Sequence, residues 1–515
     1  MDKRASRFLT PFVCLLVFVG GVLPAGATPD SSSPRGSRDR RIEKTVPAEG
    51  RTVSVDTSAS DIVVEPIDGD DVRFVVELEY WSSNESWMQA VEEDFDVEVR
   101  ETGSEIVFRP SAMPESGRRG VLGKIFGSGE VFYSAQVTLQ VPRGTEISID
   151  NRYGDVTVAA IGGPLKVNNS SGSVKASTVR DFGEIENSYG DVEVVDVEGD
   201  LEVVVSSGKI SIEKVSGDVD VSSRYGEVTV ADVGGDLGIE SSSSKLTVER
   251  IGGAAEIEGS YEDAKVHSVK GFLEIEISSG NLDLRDLEGG ADVGSSYGKV
   301  EIDNVAEGLE LSSSSGSANI HNVQGPVRVE NSYGAVVLKE IRGSVEVSNP
   351  SGGVTLESVD GDASIRSSYE AIRVRGIGGT LDVSASSAVV DAQEIGGGVD
   401  ISTSYAGVIL EGVGGAVDVR NQSGRVEVSG LTGKALAAQH RVETSYADVD
   451  FAWPGVASMA FDIECTYGSI NSEFPAVSRE RGSRSYAEGR VGQETSSAAA
   501  LTISARNGSV NLRKR

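Results

Sequence analysis

Tyr189–Ser206 reads YGDVEVVDVEGDLEVVVS, and the next stretch, Ser207–Arg224, reads SGKISIEKVSGDVDVSSR. Laid one over the other, the two place Val192 on Ile210, Val194 on Ile212, Val197 on Val215, Leu201 on Val219 and Val203 on Val221. Numbered from the Tyr or Ser, the apolar positions are 4, 6, 9, 13 and 15 of an 18-residue unit. The pairs 4/6 and 13/15 have a period of two, so each unit supplies two short strands that face one core. Position 11 is Gly in fourteen of sixteen units and position 2 is Gly in most. Two glycine phases mean two tight turns per unit.

Working outward, the Tyr form of the unit recurs at Tyr153, Tyr189, Tyr225, Tyr261, Tyr297, Tyr333, Tyr369 and Tyr405, each 36 residues from the next. The Ser form lies midway, at Ser171, Ser207, Ser243, Ser279, Ser315, Ser351, Ser387 and Ser423. A fixed period of this length marks a stacked architecture in which each unit covers its neighbour. The expected fold is an all-β, single-chain parallel β-solenoid of 18-residue coils paired into 36-residue repeats. Sixteen coils at roughly 4.8 Å each make a rod of about 75–80 Å. A left-handed hexapeptide coil would show three equivalent apolar-Gly positions six apart. These are missing, so the general preference for right-handed crossovers predicts a right-handed β-helix.

The regular array occupies residues 151–440. Residues 44–150 also alternate apolar and polar residues, but out of register, and read as irregular N-terminal coils and a cap. They hold a short helix around Trp87, Val91 and Phe95 and an inserted loop, 111–130. Residues 441–515 keep the style without the register and read as C-terminal coils and a second cap. Solenoid ends expose strand edges and need such covers. Residues 28–43, rich in Ser, Pro, Arg and Asp, read as a flexible linker.

Residues 1–27 have the form of a secretory signal: Lys3, Arg4 and Arg7, an apolar run from Phe12 to Leu23, then Ala25-Gly26-Ala27. The apolar run is short for a membrane span, and an uncleaved anchor is the second reading. No transmembrane helix is expected in the mature chain. The expected localisation is therefore exported: periplasmic, cell-envelope or secreted. The formal charge is −33, and loss of a signal carrying net +2 leaves −35. That argues against nucleic acid or anionic membrane as partners. Of two cysteines, Cys14 lies in the signal, leaving Cys465 as a single, buried small residue without an internal disulfide.

The tyrosine ladder has two readings. In unbroken strand phase, positions 13, 15, 17 and 1 share a side, so the rings point into the core and Ser on the next coil makes room. Alternatively, the eight rings form an exposed row spaced two coils apart, able to stack on a regular polymer. The 111–130 loop is the other candidate contact surface, because Arg118, Arg119, Lys124 and Phe126 combine charge and apolar area in an acidic chain. Folding over the end of the coil is its plainer role. Position 3 alternates Asp191, Lys209, Glu227, Lys245 and Asp263, which reads as a cross-strand ion-pair ladder. Trp81 and Trp87 suit packing of the N-terminal cap. His267, His321 and His440 lie too far apart to ligate one metal, and no catalytic constellation is arguable. No cofactor or metal is expected, and no enzyme.

Val137 to Val158, VTLQVPRGTEISIDNRYGDVTV, and the ending LTISARNGSVNL resemble the bacterial putative adhesin family. That family has a strand, Val-Pro-x-Gly, strand, Ser/Asn-x-Gly-Asp-Val pattern followed by repeated Gly-x-Leu-x-Val coils. The resemblance covers most of residues 45–515. It implies a parallel β-solenoid in an envelope or exported protein and supplies no catalytic or binding residues. The long, uniform array and strict Tyr/Ser alternation depart from it. The expected function is a non-enzymatic, adhesion-type or structural binding role in the envelope or outside the cell, as a monomer meeting a surface protein or glycan. A polysaccharide-binding or polysaccharide-degrading β-helix and a periplasmic scaffold are the alternatives.

Overall fold

The computed structural model describes residues 36–114, 131–261, 263–492 and 498–515. Each regular coil supplies two strands, as in Val192–Val197 and Leu201–Ser207. Each strand pairs in parallel with the strand 18 residues further on: Val192 with Ile210, Val197 with Val215, Leu201 with Val219. The chain is thus a parallel β-solenoid with two sheets closing on one narrow core. Stacks of Val, Ile, Leu and Ala at positions 4, 6, 9, 13 and 15 are buried along the array. Identical neighbours in register let β-branched side chains nest coil upon coil.

Two bends per coil close the section. At one, the ladder skips position 8, as at Thr178 and Asp196 between the pairs Ser177–Val195 and Val179–Val197. In all sixteen coils this residue is left-handed; thirteen of the sixteen are not glycine, with φ of 53–65°. The left-handed residue resets the strand phase, so that positions 7 and 8 both face out and position 9 returns to the core. At the other bend the ladder skips position 18. Position 2 follows, with Gly190 at φ 130° and Gly208 at φ 155°. A Cβ on Gly190 would lie 2.1 Å from the Gly172 carbonyl oxygen, so both conformation and coil spacing call for glycine there.

At the N-terminal end, strands Thr52–Thr57 and Asp61–Ile67 stack on Ile147–Asn151 and Val156–Ile161 and so act as a first coil. Strand Asp71–Ser82 lies antiparallel between Val131–Pro142 and Arg38–Pro47. The latter begins at Arg38, inside the stretch read as linker; Glu43 meets Arg73 at 2.7 Å and Arg38 meets Glu92 at 2.9 Å. The helix is Glu85–Asp94, with the Asn84 side chain accepting from the Ser86 and Trp87 backbone N–H groups. Trp87 is buried edge-on to Tyr80.

The C-terminal end departs from chain order. Strand Gln439–Thr444 follows Val417–Asn421 in the first sheet, but its other neighbour is Ala499–Arg506, and only then comes Met459–Thr466. In the second sheet Val449–Trp453 is followed by Val510–Lys514 and then Ile470–Ser472. The last coil of the chain is therefore inserted between the two coils that precede it. Hairpin strands Ala476–Arg481 and Arg484–Val491 extend the first sheet beyond Met459–Thr466.

Candidate functional site

The eight ladder tyrosines all point to solvent, at 55–71% exposure. The inward reading is therefore overturned, and the cause lies two residues earlier. Position 17 already takes the inward place, with Asn151, Asn187, Ser223, Ser295, Asn331, Ser367 and Thr403 buried two residues before their tyrosines. Asn187 Nδ2 donates to the carbonyls of Gly172 and Gly190, both at 3.0 Å. Its side chain thus ties its own turn to the one below. The chain bends at position 18, strand phase is lost, and position 1 emerges on the corner.

The row runs further than the 36-residue spacing reveals. Tyr446 and Tyr467 are 60% and 67% exposed and occupy the same corner of the C-terminal coils. In stacking order the corner residues after Tyr405 are Ser423, Tyr446, Asn507 and Tyr467. Close glycine contacts confirm that order: a Cβ on Gly508 would meet the Ala447 carbonyl, and one on Gly468 would meet that of Gly508. Tyrosine on every second coil is thus kept across the inserted coil, although the sequence intervals there are no longer 36 residues. The local words TSYAD and CTYGS, akin to TSYAG around Tyr405, are the signal that reveals these two rings. Ten rings at two-coil intervals span roughly 85–90 Å, one every 9.4–9.8 Å or so.

The strip beside the row is polar. One shallow groove of about 440 Å³ is lined by Ser206, Ser222, Ser242, Ser260, Glu240, Glu258 and Glu276, among others. Glu240, Glu258 and Glu276 stand in register on successive coils. Like charges stacked this way repel one another and would repel an acidic polymer. Nearby, burial first and then Asp218, Asp200 and Glu240 push the Asp220 carboxyl above the usual range.

Position 3 is only partly an ion-pair ladder. Glu227 sits between Lys209 at 3.4 Å and Lys245 at 3.9 Å. Asp191, by contrast, accepts the backbone N–H of Lys209 at 2.8 Å, and Asp263 that of Asn281 at 2.8 Å. These carboxylates cap the next coil's turn, a role a charge count cannot reveal.

The three histidines are dispersed. His321 Nδ1 lies 2.8 Å from Asp303, which raises its pKa, with Glu340 adding to the effect. His267 stands 3.8 Å from Asp283. His440 is buried at the junction with the C-terminal coils. Cys465 is buried too, its thiol donating to the Gly508 carbonyl, and burial pushes its pKa up. Among the described residues no group of three or more His, Cys, Asp or Glu side chains is placed to hold a metal ion. Nor, among them, is any helix long and apolar enough to cross a membrane. Residues 1–27 and the candidate contacts Arg118, Arg119, Lys124 and Phe126 lie outside the described residues. The loop's flanks are described: Trp87 Nε1 donates to the Pro114 carbonyl at 2.7 Å, and Val131, Phe132 and Tyr133 are exposed.

Residues 50–276 match the family model Toastrack DUF4097. None of the curated proteins matches the chain. Similar crystal structures include a putative cell adhesion protein from Clostridium sporogenes, at 7% identity and TM-score 0.13, covering 93% of this chain and 100% of that one. A putative adhesin from Bacteroides fragilis shares 12% identity at TM-score 0.15, over 67% of this chain and 97% of that one. A putative lipid binding protein from Parabacteroides distasonis shares 10% identity at TM-score 0.17, over 67% and 96%.

Proposed function

We propose, for a chain whose residues 50–276 carry a Toastrack DUF4097 domain, a non-enzymatic, adhesion-type binding role in the cell envelope or outside the cell, exercised through the tyrosine row. The single observation that carries this reading is the row itself. Ten exposed rings keep a two-coil interval even where chain order is broken. Ten exposed aromatics cost solubility and gain nothing for a core. Tyrosine supplies large, rigid contact area at low entropic cost, which suits a binding face. A catalytic site gathers unlike groups at one place, whereas this corner repeats one group along a rod. The signal-like segment 1–27 supports export.

A second reading, binding of a polysaccharide strand along the same corner, is favoured by the serine and glutamate groove beside the rings. The stacked carboxylates there select neutral or amine-bearing chains over acidic ones. Both readings are tested by immobilising the exported chain and passing extracted envelope material and a panel of neutral, acidic and amine-bearing polysaccharides over it. Replacing Tyr153, Tyr189, Tyr225 and Tyr261 by Ser, the residue the intervening coils carry at this corner, is expected to remove most of the retention. Retention that survives with all ten tyrosines replaced would overturn the row as the binding face.

A further inference from the structure

The row is both knob and hole. Each ring is followed one coil later by Ser or another small side chain, so a slot one coil wide lies between successive rings. A second row of the same pitch, displaced by one coil, would place its rings in those slots. Neighbouring rings would then stand roughly 4.7–4.9 Å apart, within the 4.5–7 Å or so at which aromatic pairs attract. A second copy of this chain has that pitch by construction, and it presents slots as well as rings.

Charge locates the contact. The corner residues, positions 18 to 3, carry Lys299, Lys245 and Glu227 in the first half of the array. From Ser314 to Gly407 the same positions hold a single charge, Glu370, over six successive coils. Val389 and Ile409 are exposed beside the rings there, at 46% and 41%. In a chain of net charge −33 this is an aromatic strip about 29 Å long with a single negative charge.

We infer that the partner of this strip is a second copy of the chain, bound antiparallel about a two-fold axis; the inference rests on the row being the binding face. In that arrangement Tyr369 seats on Ser351, Tyr333 on Ser387 and Tyr405 on Ser315 of the second copy. The contact is isologous, and six rings interleave. Glu370 then faces Gly352 and Gly353 and lies one coil from the Glu370 of the second copy, the one like-charge pair at the axis. The sequence leads to a monomer as the expectation, and the mass in solution decides between the two.

The test is the mass of the exported chain by light scattering and sedimentation equilibrium across a concentration series. The expected result is an about twofold rise in mass with concentration, strengthened by added salt because each chain carries net negative charge. The triple variant Tyr333→Ser, Tyr369→Ser, Tyr405→Ser is expected to stay at single-chain mass with unchanged circular dichroism. Ser351→Tyr, which fills a slot and removes no ring, is expected to do the same. A wild-type chain of single mass throughout, or a dimer that survives both variants, overturns the inference. A monomeric wild type that retains a polysaccharide probe, and loses it in the triple variant, also overturns it while leaving the binding face intact. A chain that neither dimerises nor retains any probe removes both.

Discussion

In every regular coil position 8 sits in the left-handed region; thirteen times it is not glycine, and eight of those side chains, other than Asp and Asn, disfavour it. Thr178, at φ 54°, is the sharpest case, because its β-branched side chain crowds the following carbonyl. Thr178→Gly should stabilise the protein by about 1 kcal/mol, the relief of strain less the added freedom of the unfolded chain. The urea midpoint would rise; a lower one would show that Thr178 makes compensating contacts. The second bend has the opposite economy. Asn187 joins two part-buried turn carbonyls, on its own coil and the one below. Asn187→Ala should therefore destabilise by about 1–3 kcal/mol, read as a lower midpoint. Position 8 was only half legible in the sequence, since Gly, Asp and Asn hold eight of its sixteen places and Ala, Thr, Lys, Arg, Ser and Glu the others. Its conformation comes from the ladder on both sides rather than from residue type.

At the scale of the strand, apolar phase named every core stack of the array, because burial at positions 4, 6, 13 and 15 follows from local alternation alone. It failed for the tyrosines because alternation was carried through a bend. The bend at position 18 ends the phase whatever residue precedes it: Asn187 bonds Gly172, 15 residues away, and Gly190, three away, while Gly259 before Tyr261 has no side chain. The junction after the array is another element whose chemistry is non-local. His440 packs edge-on to Phe451 and Trp453 at 6.0 and 5.8 Å. Its Nε2 faces the Ala435 carbonyl at 2.8 Å, and its Nδ1 accepts the Val417 N–H at 3.3 Å. Those partners require the neutral ring, and burial pushes its pKa down. The unfolded chain therefore takes up the proton first. The stability His440 contributes is complete above about pH 6.5 and is lost as pH falls from there through its lower folded value. His321 runs the other way, its share present below about pH 6.5 and lost as pH rises through its raised folded value; being exposed, it counts for less. Urea unfolding followed by tryptophan emission should thus show a midpoint that drops between about pH 7 and about pH 5.5. His440→Asn, less stable at neutral pH, should lose most of that slope. An equal drop in the variant would assign the slope to carboxylates instead.

The whole molecule is one-dimensional, and its length was legible because each repeat contacts only the next. What could not be read was the order of coils at the C-terminal end. Residues 501–512 look like one more coil after 470, whereas strands Ala499–Arg506 and Val510–Lys514 slide in between earlier coils. Hydrophobic pattern gives each strand a face and leaves its neighbour undetermined. This insertion works as a lock. Among the described residues, strand Met459–Thr466 pairs with the solenoid only through Ala499–Arg506, and Ile470–Ser472 only through Val510–Lys514. Ending the chain at residue 498 removes both links. The edges of Gln439–Thr444 and Val449–Trp453 would then face solvent, unpaired, in long parallel sheets. The expected outcome is oligomers or aggregates on size-exclusion chromatography, with the array's circular dichroism retained because its sixteen coils stack without the cap. Tyr333→Ser, Tyr369→Ser and Tyr405→Ser should not suppress this association, since it uses sheet edges rather than the corner. A truncated chain that ran as a single well-folded species would show that the coils of residues 439–453 and 459–472 can pair directly, and that the inserted coil is an ordinary repeat.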